Sequence, residues 1–369
     1  MSGYVVPIKI GLILFPIIAL LITIPYMIKE YHKYGSIIFM RTFVVYSFVL
    51  YLLIAWFMVI LPLPKIEEVS KMTGPWAQLV PFQGFKEIIE NTNLNVLNIS
   101  SWISTLKNPN VYTVLFNFIL TLPFGVFLKY YFKRKWWEVL TLSFLLSLFF
   151  EVTQLSCLFG IYPRPYRLFD VDDLIVNTTG GLIGYILTPI VSMILPSRES
   201  LDEKSYAKGK NVSYPRRFIA ALIDFVIVCI FVFSGLFIRD YLDLSLLTFA
   251  YLVYYLLFTI IFKGRTIGKM IVGIRLVSKD ERRARVHQIL IRYTIKYFLL
   301  FEVFHATLML DNISKLGIFG SALAVVVYIL LLIVYIREFI CIITKKSLIY
   351  ESLSNTKHIS TIKNKEKKV

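Results

Sequence analysis

The chain has 369 residues, 57% of them hydrophobic, with a mean hydropathy of +0.70. Its apolar runs are too long and too uncharged for a soluble core, and they specify a polytopic membrane protein. The formal charge of +17 is matched by anionic lipid headgroups facing basic cytoplasmic loops, so membrane lipids are expected partners and nucleic acid is not.

The expected fold is all-α, a transmembrane helix bundle of about nine spans of roughly 17 to 24 residues each, enough to cross ~30 Å of hydrocarbon. They read as Ile8–Ile28, Phe43–Leu63, Tyr112–Leu128, Val139–Ile161, Leu174–Leu195, Phe218–Ile238, Leu244–Phe262, Ile289–Leu310 and Gly317–Ile336. The first run lacks a basic leader and a small-residue cleavage site, so it reads as retained. Alternate loops hold 30 of the 40 Lys and Arg. Cytoplasmic loops retain positive charge, which places the N-terminus outside and the C-terminus inside. Cys157, Cys229 and Cys341 are scattered without metal-ligand spacing, so they read as packing residues, and neither metal nor cofactor is expected.

After a first helix and its basic loop (1–40), a transmembrane module is read over 41–195. Within its longest extracytoplasmic stretch, Trp76-Ala-Gln-Leu-Val-Pro-Phe82 is apolar but too short to cross; it is either a re-entrant segment or a packed loop. Asn98-Ile-Ser100 fits a glycosylation sequon. The polar residues of the spans then converge. At ~1.5 Å rise per residue, Asn117 lies about 8 to 10 Å, Glu151 about 15 Å, Gln154 about 10 Å and Asn177 about 5 Å below the outer surface. Asp170, Asp172 and Asp173 stand where the next helix begins, beside its unpaired N–H groups and positive dipole end. Gly181 and Gly184 offer a smooth surface for close helix packing. Intramembrane charges survive where they face a protein interior or a water-filled cavity, and Arg167 is the expected partner of Glu151. The competing reading is a hydrogen-bond network that only holds helices together.

Residues 196–215 turn polar, with Pro196 and Pro215 at the ends, and read as a cytoplasmic linker. A second module follows over 216–358, then a basic tail over 359–369. Arg217 and Asp224 share a helix face, Asp224 about 10 Å inside the membrane. Lys296 reaches a similar depth on a later span, so Asp224 is expected to pair with Lys296 or Arg217. Glu302 and His305 form another polar pair at helical spacing. Gly264-Arg-Thr-Ile-Gly-Lys269 lacks the spacing and the Ser or Thr of a phosphate loop. Alternation over 272–277 and a turn-like run after it suggest a small hairpin near 272–287, with an interfacial helix as the competitor.

Leu79-Val-Pro-Phe82, Asn117, Pro123-Phe-Gly125, Glu151-x-x-Gln154 and Arg167-x-Phe-Asp170-x-Asp172-Asp173-Leu-x-x-Asn177-Thr-x-Gly180-Gly181-x-x-Gly184-Tyr185 resemble the VanZ-like family of bacterial membrane proteins. Arg217-x-x-Ala-x-x-Ile-Asp224, Thr266-x-Gly-Lys269 and Gly273-x-Arg-x-Val277 resemble the RDD family. Where that family often has His-Asp, this chain has Tyr350-Glu351, making Glu351 the stand-in for the third signature acid. The resemblances imply a cytoplasmic-membrane protein, an association with teicoplanin-type glycopeptide resistance for the first module, and transport for the second. The expected function is non-enzymatic. Asn117, Glu151, Gln154, Arg167, Asp170, Asp172, Asp173 and Asn177 form a pocket for a lipid-linked or cell-wall ligand. Ion or proton transport through Arg217, Asp224, Lys296, Glu302 and Glu351 is the alternative, since desolvation and neighbouring cations tune intramembrane acids.

Overall fold

The apolar runs fold as helices, which make up 74% of the chain with almost no sheet. The computed structural model describes residues 2–91, 105, 108–236, 244–299 and 317–362. Among these, six helices are long and apolar enough to cross a membrane. The chain divides into two compact units, Met1–Ile22 with Ile38–Asp202, and Thr23–Ile37 with Glu203–Val369.

In the first unit, α1 (Ser2–Tyr34, whose end belongs to the second unit) and α2 (Phe39–Ile60) precede a short α3 (Ile66–Ser70). The expected apolar loop forms β1 (Ala77–Gln78) and leads into α4 (Gln83–Asn91), a short amphipathic helix. Three long helices then build the centre: α5 (Pro109–Tyr130), α6 (Trp136–Leu155) and α7 (Val171–Ile194). A two-residue strand β2 (Phe169–Asp170) pairs in parallel with β1, Ala77 opposite Phe169 and Gln78 opposite Asp170. This short ladder ties the loop to the start of α7.

Glycines set the spacing of the central helices. A β-carbon on Gly125 of α5 would overlap the Gly181 carbonyl of α7, and β-carbons on Gly180 and Gly184 would overlap the carbonyls of Phe118 and Leu122. Backbones therefore meet directly, as small residues allow inside a membrane. On the other side of α7, Gly181 leaves room for the Ser143 hydroxyl of α6. After α6 the chain reverses through Cys157, Leu158 and Phe159, all with φ between 56° and 59°. Three successive non-glycine residues in the left-handed region carry strain of about 1 kcal/mol each. The turn is held by the Ser156 hydroxyl, which accepts from the Phe159 N–H at 3.1 Å, and it buries Cys157 and Leu158.

The polar stretch read as a linker is largely helical, α8 (Arg198–Gly209). In the first unit its beginning is anchored where Asp202 accepts from the buried Arg41 at 2.5 Å. The second unit continues with α9 (Tyr214–Leu236), α10 (Leu244–Ile261), a short α11 (Ile267–Ile271), β3 (Ile274–Ser278), α12 (286–299), α13 (Ile318–Ile343), α14 (Ile349–Leu353) and β4 (Thr356–Ser360). The hairpin expected near 272–287 forms only as a short one, and the main pairing of β3 lies elsewhere. A turn does form, with Glu281 N–H bonded to the Ser278 carbonyl, and Val277 bridges Arg283. The ladder partner of β3, however, is β4, antiparallel from Ile274–Ser360 to Ser278–Thr356. The run after the turn supplies Arg282, Arg283 and Arg285 rather than alternating apolar residues. Glu302, His305 and Asn98 lie outside the described residues.

Candidate functional site

The first cluster is assembled at the start of α7. Asp170 caps that helix, its Oδ1 accepting from the Asp172 N–H at 2.8 Å, as an Asp at an N-cap does. Burial pushes the Asp170 carboxyl above its usual range; the Asp172 N–H opposes this, and the charges of Asp172 and Glu87 add to it. Asp172 is buried and reaches across to the loop before α4, its two oxygens accepting from the Phe82 and Gly84 N–H groups at 2.5 and 2.8 Å. Leu79-Val-Pro-Phe82 is therefore fixed to α7 through its own backbone.

Asp173 faces α5, where Asn117 Nδ2 donates to its Oδ1 at 2.8 Å. Its backbone carbonyl accepts from Ser147 of α6 at 3.3 Å, and Asn177 Nδ2 donates to the same hydroxyl at 3.0 Å. Glu151, 2% exposed on α6, accepts from the Asp170 N–H at 2.9 Å. Six of the eight predicted residues thus meet at the start of α7 in two hydrogen-bonded sets, Asn117, Asp173 and Asn177 around Ser147, and Glu151, Asp170 and Asp172. Arg167 is not the hydrogen-bond partner of Glu151. Its Nη2 donates to the Leu61 carbonyl at 2.8 Å, because that carbonyl at the end of α2 has no helical partner. Its charge still acts on Glu151 and Asp173. Gln154 is buried one turn beyond Glu151, and among the described residues its side chain makes no hydrogen bond to the acids. Ser147 was missed, and so was Ser143. Their signal is the spacing: Ser143, Ser147 and Glu151 recur every fourth residue, one polar stripe on an otherwise apolar helix.

In the second unit the expected Asp224 pairing is corrected. Asp224, 1% exposed, accepts from Tyr254 at 2.7 Å, Thr266 at 2.6 Å and the Gly268 N–H at 2.7 Å. Three donors satisfy the carboxylate without a cation. A β-carbon at Gly268 would overlap the Ala220 carbonyl, which explains the glycine of Thr266-x-Gly-Lys269. Lys269 is buried against the Tyr293 hydroxyl, and Lys296 lies over the Tyr255 ring at 5.3 Å.

Arg217 instead reaches Glu351 at 2.8 Å, and Arg292 reaches the same oxygen at 3.2 Å. Burial opposes the Glu351 charge, but His358 and the two guanidinium groups hold its carboxyl well below the usual range. His358 Nδ1 lies 3.4 Å from Arg292 and 3.8 Å from the Glu351 carboxylate, between the two. Burial and the charge of Arg292 keep the imidazole well below its usual pKa and neutral. Glu351 was named in advance; His358 was not, because nothing in the sequence near position 358 shows that β4 returns it to β3.

A family model described as VanZ/LLP1 matches residues 48–192, and the RDD family model matches residues 212–341. The chain is an N-terminal VanZ module followed by a C-terminal RDD module. Neither a curated protein nor a solved structure matches it. With six long apolar helices among the described residues, it is a multi-pass membrane protein of VanZ and RDD type. The polar network at the start of α7 lies inside the VanZ match, and Arg217 and Asp224 lie inside the RDD match. Glu351 and His358 fall beyond the RDD match, yet they complete its arginine cluster.

Proposed function

We propose that the VanZ module binds a lipid-linked or cell-wall ligand at the start of α7 and thereby lowers susceptibility to teicoplanin-type glycopeptides. The observation that carries this reading is the convergence of Asn117, Glu151, Asp170, Asp173 and Asn177 from three helices and the strand before α7, in two hydrogen-bonded sets. Carboxylates and amides at this depth are expensive, and a network that only glued helices together needs fewer charges than this one holds. The role in this reading is binding; among the described residues no nucleophile–base pair accompanies the acids. Glycopeptide susceptibility of cells producing Glu151→Gln or Asp173→Asn is expected to rise toward that of cells lacking the protein. Full protection by both variants, at normal membrane levels, removes this network from the mechanism.

A second reading, ion or proton transport through the RDD module, is favoured by the burial of Asp224 and Lys269. Proteoliposome flux under an imposed pH or sodium gradient, equal for the intact chain and Asp224→Asn, sinks it.

A further inference from the structure

Beside the acids, α4, α5 and α7 line a half-open cavity of about 370 Å³. Its walls include Phe85, Ile88, Val114, Leu115, Phe118 and Val176, with Thr179 as the polar lining residue. The volume falls within the range of small-ligand sites, and an apolar cavity between membrane helices is suited to hydrocarbon. Its walls are chain neighbours of the polar residues. Phe85 follows Gly84, which Asp172 holds, and Phe118 follows Asn117, which Asp173 holds.

The network has acceptors to spare. Asp170 and Asp173 each use one oxygen, on the Asp172 N–H and on Asn117. Among the described residues, no donor meets their second oxygens, and both side chains are only half-buried. One turn along the same face of α7, Asn177 is 4% exposed, and its Oδ1 has no hydrogen-bond partner because the Nδ2 side is turned to Ser147. A buried amide oxygen without a donor is unfavourable by ~1–3 kcal/mol until something supplies one. Two carboxylate oxygens and this amide call for a donor-rich cation. The Arg167 charge acts on both Glu151 and Asp173, and a guanidinium suits a phosphate.

We infer that this site takes a membrane lipid whose headgroup carries a primary amine beside a phosphate. Its ammonium, with three donors and no acceptor, faces Asp170, Asp173 and Asn177; its phosphate faces Arg167; its hydrocarbon chain fills the cavity. Glu151, bonded to the Asp170 backbone, acts as a positioning residue. The inference rests on the VanZ module being an envelope-ligand binder and names the class of that ligand.

The test is lipid binding to the purified full chain in detergent, read by native mass spectrometry, with phosphatidylethanolamine and phosphatidylglycerol of identical chains. Phosphatidylethanolamine is expected to bind about tenfold more tightly, the scale of one charged hydrogen bond. Asp170→Asn should abolish that preference; Asn caps a helix as well as Asp, so the variant keeps its fold. Leu115→Trp, at an exposed lining position, should weaken both lipids by filling the cavity. Soluble phosphoethanolamine should not compete, because it lacks the chain. Equal or tighter binding of phosphatidylglycerol overturns the amine, and binding indifferent to Leu115→Trp overturns the cavity. If amine selectivity holds while Glu151→Gln and Asp173→Asn leave glycopeptide protection intact, the resistance reading fails and the ligand class stands. Loss of protection without amine selectivity does the reverse.

Discussion

His358 and Glu351 show how one residue's surroundings become a property of the fold. His358 stays neutral because it is buried beside Arg292 and Arg217, and Glu351 stays charged because the same two groups surround it. Below pH ~6.5 the unfolded chain protonates His358 while the folded chain refuses the proton. Stability therefore falls with pH by up to ~1.4 kcal/mol per unit in that window. The Glu351 contribution has the same sign in a lower pH window. Its folded pKa is depressed, so its stabilisation is fully present above the ordinary Glu value of about 4.3 and is lost only as pH falls below it. Thermal unfolding of the purified chain between pH 7 and 5 should thus be steeper for the intact protein than for His358→Asn, and identical slopes would show that His358 is protonated in the fold. At pH 7, Glu351→Gln is expected to destabilise by about 3–5 kcal/mol, because it strands two guanidinium groups. A change below 1 kcal/mol, measured by the same unfolding, contradicts that cluster.

At the scale of elements, the VanZ module depends on how closely α5 and α7 approach. Gly125, Gly180 and Gly184 let carbonyl oxygens of one helix touch the backbone of the other, and the same approach brings Asn117 to Asp173. Gly184→Val is expected to separate the pair and destabilise the module by about 1–3 kcal/mol or more, as overpacking does. It should also weaken glycopeptide protection while leaving every polar residue in place; unchanged unfolding and unchanged protection would mean that the helices have slack. This part of the site was legible because glycines three apart on an apolar helix and carboxylates at its start each have a physical meaning. The fate of Arg167 was not legible. Choosing between Glu151 and the Leu61 carbonyl requires knowing where α2 ends relative to β2, and that is set by long-range packing. The pairing of β3 with β4 was hidden for the same reason: the partners, from Ser278–Thr356 to Ile274–Ser360, are 78 or more positions apart, and local alternation pointed to the nearer segment.

At the scale of the whole chain, the two sequence modules and the two folded units do not share a boundary. Thr23–Ile37, at the end of α1, belongs to the unit formed by the RDD module. There Tyr31 is buried with Ile219, Val272 and Ile274, and His32 Nδ1 lies 2.7 Å from the Ile271 carbonyl. Ser36 donates to the Ser205 carbonyl at 2.7 Å. Gly35 has φ +73°, and a β-carbon there would come within 2.7 Å of the Arg216 guanidinium. That guanidinium is itself buried, donating to the Gly209, Val272 and Gly273 carbonyls. Residues of the first helix are therefore structural parts of the RDD unit. Gly35→Ala in the full chain should destabilise that unit by about 1–3 kcal/mol, through its left-handed backbone and its crowding of Arg216. Lys33→Ala, two residues away and exposed, should not. A matching loss is expected when Glu203–Val369 is produced without residues 1–37, as lower yield of monodisperse protein and a lower Tm in detergent. Supplying the first helix within the intact chain restores both. If Glu203–Val369 alone unfolds at the same temperature as in the full chain, α1 merely touches the RDD unit, and the module folds by itself.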